Sequence, residues 1–449
     1  MILLLFLLLL PPWNHRAVTP QTTAVYAVWA DTGEPITAYN EKLPLNPASN
    51  TKLITSYCAL KELKPHFRFA TRFYTDTSLQ NGEINNLWVK GEGDPSMVNE
   101  SLLAMAQNLK NFGLRKISGD VYIDASYFDA RDYPGRQDNN ERAYNATTSA
   151  TSLNFNSVEV QIDGKRAHLL PETPYLKLNN RLKIGGKKAR VMMSTQPGKG
   201  IEIVTLGGRV PARTAPFSLY RNIYRPTDFF GHSLMAILQQ EGIRATGRVK
   251  MGTAEGKTLF WKWESKPLNE IVRDMNKFSN NFIAEQLTKF LGAKELGAPG
   301  TTDKGVEVFK NCLTKIGVDT KNLSLENGSG LSYNNQATAE QLVKVLSAGF
   351  RDPQIREDFI SSLSVGGVDG TMKRRRLPKE LEGVLRAKTG SLNNISTLAG
   401  FVPAEKGRFI AFAILMNKTK GNLQELHRIQ DAIVLDWVRA NGVRLRGGR

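Results

Sequence analysis

At 449 residues the chain is too long for one ordinary domain and long enough for two or three folding units, each with its own core. Lys and Arg number 60 against 42 Asp and Glu, a net charge of +18 that favours anionic partners, but the cations read as scattered along a solvated basic surface. No zinc finger, RNA-binding aromatic signature or Walker loop is present, which argues against nucleic acid, and two cysteines and five histidines without ligand spacing leave no metal or cofactor expected.

Residues 2–10 form an apolar run too short to span a bilayer as a helix and of the right length for a signal-peptide core. Export through a signal peptide over 1–17 is the expectation, although no Lys or Arg precedes the run and no small-x-small site follows it. A retained anchor is the alternative, with Pro11 and Pro12 ending any helix soon after the run. Residues 24–40 read as two strands around Asp31-Thr32-Gly33. Leu53, Ile54, Tyr57, Leu60 and Leu63 then recur at helical spacing between Pro47 and Pro65, and Cys58 on this helix reads as a small buried hydrophobe that pairs with Cys312 only if the fold brings them together.

From Phe67 to about Trp263 the texture changes to short alternating strands with turn signals at Asn81-Gly82, Asp163-Gly164 and Gly185-Gly186. Within it, 155–227 is the most strongly β-like part. Met275, Phe278, Phe282, Ile283, Leu287 and Phe290 give a helical pattern, Arg408 to Met416 a strand, and Leu423 to Val438 a closing helix. Both ends of the chain therefore belong to one α+β domain, 18–66 with 264–449. The expected insertions are one domain over 67–154 with 228–263 and a β-rich domain over 155–227 nested inside it.

The chemistry rests on Ser49-Asn50-Thr51-Lys52 and Lys388-Thr389-Gly390-Ser391. A lone Ser-x-x-Lys is weak, since ordinary composition yields about one or two by chance in such a chain. Here the serine opens a helix, where free N–H groups favour negative charge, and Lys52 lies one turn on, on the same face. A lysine that takes the serine proton must be neutral; bringing it from about 10.4 toward 7 costs about 4 to 5 kcal/mol, which burial and a second cation, Lys388, can supply. Gly390 leaves room for a ligand against a strand edge, and Thr389 and Ser391 offer hydroxyls to a carboxylate. Among the Ser-x-Asn matches, Ser279-Asn280-Asn281 lies in the helical stretch after the β-rich region, 109 residues before Lys388.

Ser-x-x-Lys, a Ser-x-Asn and Lys-Thr-Gly in this order belong to a set shared by penicillin-binding proteins and class A β-lactamases. With Gly93-Asp94-Pro95, Gly328-Ser329-Gly330-Leu331-Ser332 and Gly366-Gly367-Val368-Asp369-Gly370-Thr371, the chain from about 24 to 440 resembles the penicillin-binding protein 4-type D-alanyl-D-alanine carboxypeptidase/endopeptidases, the class C low-molecular-mass group. The resemblance implies a penicillin-recognising serine transferase (β-lactamase-like) domain, an antiparallel sheet with flanking helices, plus two nested, mainly β inserted domains. It implies Ser49 as nucleophile, Lys52 as proton acceptor, Ser279 as relay to the leaving amine and Asn281 as holder of the substrate backbone. Lys388, Thr389, Gly390 and Ser391 would bind the terminal carboxylate, with the N–H groups of Ser49 and Ser391 as oxyanion hole. Implied partners are peptidoglycan stem peptides ending in D-Ala-D-Ala and β-lactams as covalent inhibitors, in the periplasm. Weak association with an anionic wall or membrane surface is a secondary expectation. A β-lactamase and a non-catalytic wall-binding protein are the rival readings. The chain departs from the pattern at Asn327, where Asp is usual, at Ser391, where Thr is common, and in the basic run Arg374-Arg375-Arg376, read as a solvated loop.

Overall fold

The computed structural model describes residues 18–138, 140–418 and 422–441, so the expected signal peptide over 1–17 lies outside the described residues. The chain divides into two compact units, 1–65 with 272–280 and 309–449, and 66–271 with 281–308.

The first unit is built on a six-stranded, fully antiparallel sheet. Its strands are β1 (Thr23–Trp29), β2 (Pro35–Tyr39), β3 (Ser364–Val365), β4 (Arg386–Leu392), β5 (Ile395–Pro403) and β6 (Phe409–Asn417), in spatial order β3-β4-β5-β6-β1-β2. The N-terminal strand thus pairs with the last one. β6 is buried along almost its whole length, which suits its unbroken apolar run Ile410 to Met416. Side chains alternate between faces. Ala387, Leu398, Val402, Phe412 and Ile414 share a core with Leu426, Ile433, Val434 and Trp437 of the closing helix Leu423–Ala440. On the other face, Phe350 of helix Ala339–Arg351 packs on Phe401 and Phe409, with centroids 5.8 and 5.6 Å apart. That helix starts at a capping box: Thr338 Oγ1 accepts from Gln341 N, and Gln341 Oε1 accepts from Thr338 N.

The helix after Pro47 is Thr51–Leu63, ended by Lys64 at φ 72 before Pro65. It is buried all round from Thr51 to Leu60, a central helix rather than an amphipathic surface one. Cys58 and Cys312 are buried free thiols. They meet: burial first, then the hydrogen bond with Cys312, pushes the Cys58 thiol well above its ordinary range. The run at 374–376 is not a solvated loop throughout. Arg375 is drawn inward to Asp431 of the closing helix, 2.7 Å away, with both side chains almost fully buried, while Arg374 and Arg376 stay exposed.

The second unit is strand-rich, as expected. A five-stranded mixed sheet runs Val249–Met251, Val121–Asp124, Leu87–Gly91, Ala70–Thr75, Thr258–Glu264. Asn81 and Gly82, both at positive φ, make the tight turn from Gln80 to Glu83 that their sequence announces. Residues 157–222 hold seven strands in two sheets of their own. Two helices, Asn99–Asn111 and Pro226–Gln240, stand where the alternating texture predicts strands. The buried set Leu102, Met105, Ala106 and Leu109 carries the helical period of the first. Residues 281–308, expected with the first unit, group with the second: Phe290 of helix Asn281–Leu296 packs on Phe67 and Phe69 at 5.5 and 4.5 Å. Nor are the cations evenly scattered. Segment 155–227 carries thirteen Lys and Arg against four Asp and Glu, a net +9 of the chain's +18.

Candidate active site

Ser49 sits in a single 3-10 turn, Ala48–Asn50, directly ahead of helix Thr51–Leu63. The turn is tied from several sides. Ala48 is held at φ 46, its N–H donates to Asn46 Oδ1 at 2.7 Å and its carbonyl accepts from Thr51 Oγ1 at 2.9 Å. Asn46 in turn exchanges hydrogen bonds with Asn417 at the end of β6, and the Pro47 carbonyl accepts from Thr397 Oγ1 of β5 at 2.9 Å. The serine is therefore fixed by the central strands rather than by its own helix alone, the kind of support a nucleophile needs.

One turn on, Lys52 is fully buried; its Nζ donates to Ser49 Oγ at 3.2 Å and to the Ser329 carbonyl at 2.5 Å. Ser329 belongs to the Gly328-Ser329-Gly330 turn, which lies against the nucleophile turn so closely that a Cβ on Gly330 would sit 1.9 Å from the Ala48 carbonyl oxygen. Asn327, the departure from the usual Asp, accepts from Gly330 N and Asn335 Nδ2 through Oδ1, so a neutral amide holds this turn.

β4 supplies the second lysine. Lys388, also fully buried, donates to Ser279 Oγ at 2.9 Å and to the Thr389 carbonyl at 2.8 Å. Burial, then the charge of Lys52, holds its ammonium pKa well below the ordinary lysine range. Ser279 itself departs from the continuous helix that its surroundings predict. Helix Leu268–Phe278 stops, Ser279 turns through φ 54, and a new helix starts at Asn281. A left-handed conformation of this kind in a non-glycine residue is uncommon and clusters at functional sites.

Gly390 shows why that position has no side chain. A Cβ there would lie 2.1 Å from Thr397 Oγ1, 2.9 Å from the Pro47 carbonyl and 3.0 Å from the Ser49 amide nitrogen. Thr389 and Ser391 flank it on the opposite face of the strand, Ser391 exposed and Thr389 donating to Thr371 Oγ1 at 2.8 Å. Thr371 comes from the glycine-rich segment 366–371. That segment is anchored by Asp369, which takes the Lys277 ammonium at 2.6 Å and the Val365 N–H at 2.8 Å.

Of the residues singled out in sequence, Ser49, Lys52, Ser279, Lys388, Thr389, Gly390 and Ser391 are thus gathered in the first unit. Asn281 falls in the second, buried at the start of its helix, with Nδ2 donating to the Tyr144 carbonyl at 3.0 Å. Thr371 and the Ser329 carbonyl complete the group. Both lie in glycine-rich motifs visible in the sequence, but their roles come only from tertiary contact. Gly93-Asp94-Pro95, by contrast, is a turn: Asp94 accepts from Ser96 N and Oγ, and burial pushes its carboxyl up to about 6.

Two lysines, each seated on a serine, with a carbonyl-lined turn and a strand bearing two hydroxyls, suit acyl transfer through a serine ester. Comparison with known proteins agrees. A family model described as the D-Ala-D-Ala carboxypeptidase 3 (S13) family matches residues 14–438. A D-alanyl-D-alanine carboxypeptidase of Actinomadura sp. (strain R39) is 31% identical, over 93% of this chain and 81% of that protein. The D-alanyl-D-alanine carboxypeptidase DacB of Haemophilus influenzae is 26% identical over 85% and 82%. In structure, penicillin binding protein 4 of Haemophilus influenzae superposes with a TM-score of 0.79 at 24% identity, covering 93% of this chain and 96% of that one; the same protein is also known in complex with a β-lactam. The fold is therefore the α+β penicillin-recognising one, and the chain belongs to the D-Ala-D-Ala carboxypeptidase 3 (S13) family.

Proposed function

We propose that the chain is a serine-type D-alanyl-D-alanine carboxypeptidase and endopeptidase that trims or uncrosslinks peptidoglycan stem peptides and is acylated by penicillin. The observation that carries the reading is the Lys52 ammonium nitrogen 3.2 Å from Ser49 Oγ, with a second buried lysine on Ser279.

In this mechanism Ser49 Oγ attacks the carbonyl between the two D-alanines, and its proton passes to Lys52 as the C–O bond forms. Burial and a neighbouring cation both favour the neutral amine that such an acceptor must be, as the lowered pKa of Lys388 beside Lys52 illustrates. The oxyanion is met by the N–H groups of Ser49 and Ser391; one such donor is commonly worth about 3 to 4 kcal/mol. Ser279, hydrogen-bonded to Lys388, delivers a proton to the departing D-alanine amine, and the C–N bond breaks. Thr389, Ser391 and the Lys388 charge hold the terminal carboxylate. Water then enters by the reverse sequence and hydrolyses the ester.

The same chemistry on an outer-envelope polymer fits export to the periplasm. Segment 155–227, with its two separate sheets, reads as a nested domain within the second unit. Incubation with purified cell wall tests the function: D-alanine and uncrosslinked peptides accumulate with the parent chain and not with Ser49→Ala. Equal release by both proteins, or none by either folded protein, would refute it.

A further inference from the structure

Segment 155–227 has no part in this chemistry, yet it carries half of the net charge. Its four-stranded sheet is centred on Glu202–Val210, with Arg190–Pro197 antiparallel on one side and Leu176–Asn180 and Lys183–Ile184 parallel on the other. One face is core: Leu176, Met193, Val204, Leu206 and Val210 are buried. The alternate residues make the outer face, and there the register sets three cations in a row across three strands, Arg190 opposite Arg209 and Arg209 beside Lys183. All three are exposed, and among the described residues none is paired with a carboxylate.

Like charges facing one another across strands are unfavourable, so the row works against the sheet that holds it. No acidic side chain on that face relieves it. Glu202, the acid of the central strand, faces the core and is consumed by Tyr175 Oη and the N–H groups of Tyr224 and Arg225. Lys177 extends the basic surface along the neighbouring strand, opposite Ile203. Beside the row, two residues from Arg190, Met192 stands 72% exposed over Gly207, the largest exposure of a big apolar side chain among the described residues.

We propose that this outer sheet face docks on a bilayer surface rich in acidic lipid. A row of unpaired cations meets the headgroup phosphates, within a Debye length of about 8 Å, and Met192 enters the headgroup layer. A soluble phosphodiester polymer would use the charges but has nothing to cover the methionine, which is what favours the lipid surface.

The test is sedimentation of the full chain with vesicles of phosphatidylcholine alone and with about 30% phosphatidylglycerol at about 0.15 M salt. Residues 2–10 would contribute to both vesicle types, so the excess binding to the acidic ones is the readout. Arg190→Glu with Arg209→Glu is expected to cut that excess at least about tenfold, and Met192→Ser about two- to fivefold. A control pair elsewhere on the surface, Lys310→Glu with Lys379→Glu, changes net charge equally and is expected to leave it intact. Unaltered thermal unfolding shows that the variants fold; should they not, loss of the parent's excess between about 0.05 and 0.5 M salt, with Met192→Ser weakened at each salt, still supports the proposal. An equal fall in the control pair would reduce the effect to net charge and overturn it. So would tight binding of soluble polyphosphate with no effect of Met192→Ser, which would point to a wall polymer instead.

Discussion

Lys52 and Lys388 are both deep in the first unit, and the acidity of each depends on the proton of the other. Protonation of the acceptor amine stops it taking the serine proton, so acylation by a β-lactam slows toward acid and quickens toward alkali. Removing one cation lets the other keep its proton more tightly. Lys388→Met is therefore expected to move the acylation profile to higher pH, and an unmoved profile in that variant would contradict the coupling. Lys52→Met removes the acceptor itself and should cost about 10²- to 10⁴-fold in acylation rate with the fold retained. At Gly390 the demand is steric: a methyl group must displace Thr397 or the Ser49 turn. Gly390→Ala should lower acylation by about 10²-fold or more, the size of effect expected of a misplacement near 1 Å, measured by labelled penicillin against an unchanged circular dichroism spectrum. The sequence displays these residues because their spacing is local. Ser49 and Lys52 share one turn of backbone, and Lys388 to Ser391 are consecutive. Thr371 could not be ranked above its neighbours, since its link to Thr389 is made only when β3 and β4 pair.

Elements were legible where one period runs unbroken. β6 and the closing helix lie within two residues of their expected bounds because each has a single apolar pattern. The break at Ser279 escaped, since apolar residues continue at helical spacing through it, and positive φ leaves no mark in composition. The buried partnership of Arg375 escaped for another reason: its carboxylate is 56 residues away, and three arginines in a row look like solvent-facing charge. That pair ties the segment after the glycine-rich loop to the closing helix, through Asp431, Gln430 and the His427 carbonyl. Arg375→Met leaves Asp431 buried without its cation and should cost about 3 to 5 kcal/mol in thermal or urea unfolding, most of it regained on adding Asp431→Leu. His427, in the same group, is held down to about 4 by burial and then by the Arg375 charge. Between about 6.5 and about 4 the unfolded chain binds a proton that the folded chain refuses, so stability falls as pH falls through that window. His427→Gln is expected to flatten this part of the stability curve; an unchanged slope would contradict the assignment.

For the whole molecule, the two ends of the sequence announce the catalytic fold, and the separation of 230 positions from Ser49 to Ser279 leaves room for an insertion. What they could not give is the grouping of 281–308 with the second unit, which follows from aromatic packing around Phe290, or the gathering of charge on one sheet, which follows from strand register. Family membership, a nucleophile braced by the central strands and paired lysines converge on one central claim, that Ser49 carries the acyl group. Mass spectrometry of the intact chain after incubation with penicillin tests it most directly. The account predicts a single stable adduct of one penicillin mass on the peptide containing Ser49, absent in Ser49→Ala; an adduct on another residue, or the same adduct on Ser49→Ala, would contradict it.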